Sequence, residues 1–215
     1  VKRPAPLRQA VYQALVELIV NHTLKPGQHL VEAGLAEYLG VSRQPLREAL
    51  RHLQTEGWVD LRPALGAFVH TPTGEEADQV LSVRSVLETH SARLAAERAT
   101  PEDVERLWEL QNQGSDALAA EDVERLVAAN ASLHAFITEL SGNAVLAEMI
   151  GMVDRRVRWY YTPIARPRGN DAWHEHADLI NAIADKDADT AGRIMADHTG
   201  RTRQACQEWL MATGS

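Results

Sequence analysis

The chain has 215 residues, 45% hydrophobic and 24% charged, an ordinary globular composition that excludes a disordered, collagen-like or disulfide-scaffold protein. Its net charge of −8 argues against a nucleic-acid partner until it is divided: residues 1–72 hold eight Lys and Arg against six Asp and Glu, a net of +2, and the remainder carries −10. Cys206 is the one cysteine, and no apolar run approaches the roughly 18–20 residues that span a bilayer, so disulfides, Cys-rich metal sites and a membrane partner are not expected.

The basic start Val1-Lys2-Arg3-Pro4 lacks the apolar stretch of a secretory signal, which predicts a cytoplasmic chain. Ala10–Val20 puts Val11, Leu15, Leu18 and Ile19 on one helical face before the turn Lys25-Pro26-Gly27. Glu32–Leu39 predicts a short second helix closed by Gly40, and Ser42 is a suitable N-cap for a third helix from Arg43 to about Glu56, with Pro45 in its first turn. Leu46, Leu50 and Leu53 face inward from that helix, whereas Arg43, Arg47 and Arg51 recur every four residues as a basic ridge suited to phosphates. Trp58–Leu61 and Ala67–His70 then read as two strands around the turn Arg62–Gly66. Helix, short helix, tight turn, basic helix and hairpin together predict a winged helix-turn-helix over residues 1–72, its third helix entering a major groove.

Thr71–Gly74 interrupts the pattern, and Thr73 with Glu76 forms a capping-box pattern for the next helix. Residues 73–215 predict an all-helical antiparallel bundle of six or seven helices, at about Glu75–Arg98, Pro101–Ala119, Asp122–Leu140, Ala144–Tyr161, Asp171–Ala184 and Asp187–Leu210. Thr162–Asn170, with Arg166, Pro167, Arg168 and Gly169, reads as a basic connecting loop.

Several polar residues in this second part fall where apolar ones belong. Asn130 and His134 share a stripe with Leu126, Leu133 and Ile137; His176 shares one with Trp173, Leu179, Ile180 and Ile183; His198 lies among Ala191, Ile194 and Met195. His174 falls on the opposite side of its helix. Three inward imidazoles on separate helices suit a divalent ion, zinc foremost and nickel, manganese or iron as alternatives, with Asn130 as a weak oxygen ligand. A buried polar network around a small ligand accounts for the same pattern. Arg84 enters the bundle beside Val80, Leu87 and Ser91, and needs a carboxylate, either Glu88 one turn on or an anionic guest.

From Leu35-Ala36-Glu37-Tyr38-Leu39-Gly40-Val41-Ser42-Arg43-Gln44-Pro45-Leu46-Arg47-Glu48-Ala49-Leu50-Arg51-His52-Leu53 through Glu56-Gly57-Trp58-Val59, the chain resembles the recognition region of the GntR transcription regulators. Val83-Arg84-Ser85-Val86-Leu87-Glu88, Asn130-Ala131-Ser132-Leu133-His134, Ser141-Gly142-Asn143 and the His176 and His198 helices resemble the FCD effector domain of the FadR subfamily. The resemblance implies groove contacts from Arg43 and Arg47, with Ser42, Gln44 and Gly66 near the DNA backbone and Arg51 on the same ridge. Ala33-Gly34 stands where many relatives carry an arginine, which removes one expected contact. It also implies a divalent metal held by Asn130, His134, His176 and His198, with Asn130 in place of the commoner Asp, and a small carboxylate or sugar acid bound there near Arg84. The expected protein is a non-enzymatic, homodimeric repressor on a palindromic operator. A repressor sensing the metal itself is the alternative, and a metal-dependent hydrolase, for which no HExxH motif exists, is a more distant one.

Overall fold

The computed structural model describes residues 7–213, and the basic start at residues 1–4 lies outside them. The chain forms two compact units that divide between Pro72 and Thr73.

The first unit runs α1 (Leu7–Val20), β1 (His29–Leu30), α2 (Glu32–Tyr38), α3 (Arg43–Thr55), β2 (Val59–Arg62) and β3 (Gly66–Val69). Leu15 and Ile19 of α1, Leu46, Leu50 and Leu53 of α3, Trp58 just before β2, and Val59 and Val69 of the sheet are at most 3% exposed and form its core. Burial of each such leucine stabilises the unit by about 1.5–3 kcal/mol. With that face of α3 committed inward, its arginines are left toward solvent. β2 and β3 pair antiparallel, with Asp60 opposite Phe68 and Arg62 opposite Gly66. The expected two-stranded wing is in fact three-stranded, in the order β1-β3-β2. Two residues of strand are too few to show alternation in a sequence. Ser42 occupies the N-cap of α3 in extended conformation, but its hydroxyl makes no capping hydrogen bond.

The second unit consists of α4 (Gly74–Arg98), α5 (Pro101–Ala119), α6 (Val123–Leu140), α7 (Ala144–Tyr161), a 3-10 turn at Thr162–Ile164, α8 (Ala165–Ala184) and α9 (Ala188–Thr213). α4 lies along α9, while α5 packs against α6 and α8. Reciprocal capping boxes start two of these helices, Thr73 with Glu76 at α4 and Thr100 with Asp103 at α5. At α5, Gly114 leaves the slot for Trp173 of α8: a Cβ at that position would lie 1.5 Å from the indole Cζ2.

The loop expected at Thr162–Asn170 is instead helical, and α8 begins at Ala165. Pro163 lies at the start of the 3-10 turn and Pro167 in the first turn of α8, where a missing N–H costs little. Gly169 is a packing position, since a Cβ there would meet Leu118 Cδ1 at 2.6 Å. Arg168, expected in a solvated loop, is 7% exposed.

Candidate metal centre and nucleic-acid interface

Helical phase decides which imidazoles enter the second unit. Steps of three and four along α6, α8 and α9 place His134, His176 and His198 among apolar neighbours, and all three are buried. Their Nε2 atoms converge: His134 to His176 is 3.2 Å and His176 to His198 is 3.3 Å. Trp173, seated on Gly114, lies with its ring centroid 4.5 Å from that of His176 and backs it. Asn130, one turn before His134, is buried and its Oδ1 has no hydrogen-bond partner. His174 is exposed and donates from Nδ1 to the Asn170 carbonyl at 2.7 Å.

Two carboxylates lie against two of these rings. Glu88 on α4 sets one oxygen 3.1 Å from His134 Nδ1 and the other 2.9 Å from Arg84 Nε. Glu175 on α8 accepts from His198 Nδ1 at 2.7 Å and Arg168 Nη2 at 2.5 Å, and its second oxygen accepts from Arg201 Nε at 2.6 Å. Burial alone would raise both carboxyls, but Arg84 and His134 hold Glu88 at about 2, as His198 and Arg168 hold Glu175 at about 2. Burial pushes His176 well below its ordinary value, and takes His198 down to about 4 against the opposing pull of Glu175. An imidazole that gives its Nδ1 proton to a carboxylate while neutral presents a bare lone pair at Nε2. His198, whose Nδ1 donates to Glu175, turns such a lone pair toward His176 Nε2, while the Nδ1 atoms of His134 and His176 have no hydrogen-bond partner, so all three rings can present Nε2 to one cation.

Sequence pattern alone does not single out Glu175 and Arg168. They sit seven residues apart on one face of α8, a relation visible only if the helix is started before the Pro167-Arg168-Gly169 segment. Tyr161 is a further member without a sequence signal: its hydroxyl is buried without a hydrogen-bond partner and burial pushes it up to about 12. Beside His134, a cavity of about 480 Å³ is lined by Glu88, Thr138, Asn143, Ile150 and Asp154 among others. Burial raises the Asp154 carboxyl.

In the first unit, Ser42, Arg43, Gln44, Arg47 and Arg51 are exposed along the start and outer face of α3, and Gly66 opens β3 at the wing turn. Arg47 Nε donates to Glu32 Oε2 of α2 at 2.7 Å. The Arg62 guanidinium lies 4.4 Å over the Phe68 ring, which stiffens the wing.

Residues 7–69 match the family described as bacterial regulatory proteins, gntR family, and residues 79–201 match the FCD domain. The chain belongs to the GntR family, in its FCD-bearing, FadR-like branch. This GntR chain is 25% identical over 197 residues to the HTH-type transcriptional repressor RspR of Escherichia coli, covering 90% of this chain and 86% of the relative. It is 27% identical over 183 residues to the Nta operon transcriptional regulator of Aminobacter aminovorans, covering 84% of this chain and 85% of that one. The solved structure of E. coli McbR/YncC matches with a TM-score of 0.81 at 25% identity, covering 96% of this chain and 99% of that one. The GntR chain is accordingly a DNA-binding transcriptional regulator with an FCD effector domain, from a family of regulators rather than enzymes. Among the described residues no helix is long and apolar enough to cross a membrane.

Proposed function

We propose that this GntR regulator is a repressor that binds a palindromic operator as a homodimer, and that a small carboxylate or sugar acid bound at a divalent metal in its FCD unit controls operator affinity. The observation that carries this reading is the meeting of three buried Nε2 atoms from three helices. The donor set fits an ion: His134, His176 and His198 would hold it, with the unpartnered Oδ1 of Asn130 as the oxygen ligand. Neutral imidazoles favour zinc, with nickel, manganese or iron as the alternatives. When bound, the ion supplies a Lewis-acidic docking point for a carboxylate.

The chain's own residues do the remaining work. Glu175 fixes the His198 ring in the ligating tautomer, the role of an outer-shell carboxylate in a histidine metal site, and Glu88 lies within ion-pair distance of His134 Nδ1. Both are acceptors for buried or half-buried donors and are held at about 2, so neither is poised as a general base. That supports a receptor over a hydrolase. Arg84 is already paired with Glu88, so a guest anion reaching it would share it with that carboxylate. The adjoining cavity has the volume of a small-molecule site, which favours an organic effector over the metal as sole signal. On the DNA side, Arg43, Arg47 and Arg51 form the reading ridge, with Ser42, Gln44 and Gly66 toward the backbone. Repression follows the description of the relative RspR. An effector that favours one dimer arrangement by about 1–3 kcal/mol changes operator occupancy severalfold or more.

The test is elemental analysis of the purified protein combined with operator binding by fluorescence anisotropy, with and without chelator and across a panel of organic acids. The expected result is one divalent ion per chain and release by an organic acid only when the ion is present. Release by metal or chelator alone, with no acid active, makes the ion the signal. An ion-free protein that still answers to an acid overturns the metal site.

A further inference from the structure

Of the three arginines on the outer face of α3, one is tethered. Arg47 Nε donates to Glu32 Oε2 at 2.7 Å, across from the first turn of α2, with the two side chains 58% and 36% exposed. Arg43 and Arg51 make no ion pair among the described residues, and the two terminal nitrogens of Arg47 have no protein hydrogen bond there either. The guanidinium is thus held by its inner nitrogen and offers its outer edge.

That division of donors has a chemical meaning. Guanine is read in the major groove by two parallel N–H groups meeting O6 and N7, a task for the terminal nitrogens of an arginine whose plane is already set. A long flexible side chain loses rotamer freedom on docking, and a contact that fixes it beforehand reduces this loss. The same carboxylate partly neutralises Arg47, which makes it a poorer partner for any passing phosphate. Exposed ion pairs contribute little to folding, so stability does not account for this one.

We propose that Glu32 is a positioning residue that sets base specificity: it orients Arg47 for bidentate contact with a guanine and restrains non-specific attraction to phosphates. The inference rests on α3 being the base-reading element and adds a residue on a different helix, one that itself touches no base.

The experiment uses the full chain. A randomised duplex pool is enriched on the wild-type protein, and anisotropy is measured on the selected duplex and its single-base variants at several salt concentrations. Arg47→Ala identifies the base pair that Arg47 reads. At that pair, Glu32→Ala lowers the preference for the selected base about tenfold and raises affinity for random duplex severalfold, with a salt slope steeper by about one. Glu32→Gln, which keeps an acceptor oxygen for Nε without the charge, retains the base preference while sharing the gain in random affinity. In an Arg47→Ala background, Glu32→Ala leaves the base preference unchanged, which a general structural role would not produce. A wild-type chain that enriches no sequence overturns the base-reading of α3 and the role of Glu32 with it. A wild-type chain that enriches one, while Glu32→Ala keeps the full preference or Glu32→Gln loses as much as Ala, overturns the role of Glu32 alone.

Discussion

His174 and His176 are separated by one residue and by the width of α8, the first exposed and the second fully buried against Trp173. His176→Ala is therefore expected to abolish stoichiometric metal in elemental analysis, while His174→Ala leaves it intact; equal loss in both would contradict the assignment. The buried imidazoles also set a pH dependence in the metal-free protein. His176 and His198 protonate at lower pH in the folded chain than their ordinary 6.5, so between 6.5 and about 4 the unfolded chain binds more protons and stability falls as pH falls. For His198 alone, a displacement from 6.5 to about 4 corresponds to about 3 kcal/mol. Glu88 and Glu175, lowered from 4.5 to about 2, extend the loss at still lower pH. Urea unfolding of metal-free protein at pH 7.5, 5.5 and 4 measures this directly, and a flat profile would refute the burial of neutral rings.

Between elements, the seating of Trp173 on Gly114 links the packing of α5 to the orientation of His176. Gly114→Ala puts a methyl where the indole lies, and overpacking of this kind costs about 1–3 kcal/mol. The expected result is a lower melting temperature together with weakened metal binding, and unchanged metal affinity would show that Trp173 does not support the ring. Periodicity exposes the helices that carry the histidines, because apolar residues at steps of three and four define a face whether or not a polar residue interrupts it. It exposes α3 for the same reason. Glu175 and Arg168 stay hidden because Pro163, Pro167 and Gly169 read as breakers, although the prolines serve at helix starts and the glycine admits Leu118. The tether from Glu32 to Arg47 joins residues fifteen apart on different helices, a relation that neither period nor composition reports.

For the whole molecule, the FCD unit exposes large apolar residues on two helices that pack against each other. Val83 and Val86 of α4 are 50% and 71% exposed, and Val145, Met149 and Met152 of α7 are 66%, 48% and 68% exposed. Exposed apolar residues of this kind suit a protein contact, and in the proposed dimer they are expected to meet the second copy. Val86→Glu combined with Met149→Glu is expected to give a monomer by light scattering, with metal retained and operator affinity reduced at least tenfold. A double variant that stays dimeric places the contact elsewhere. If two copies must join through these residues before either recognition helix can hold its half-site, the concentration of operator-competent dimer climbs with the square of cellular dosage while monomer predominates. A twofold fall in expression then lowers that concentration almost fourfold, making the greasy flank of α4 and α7 a threshold device as much as a fastening.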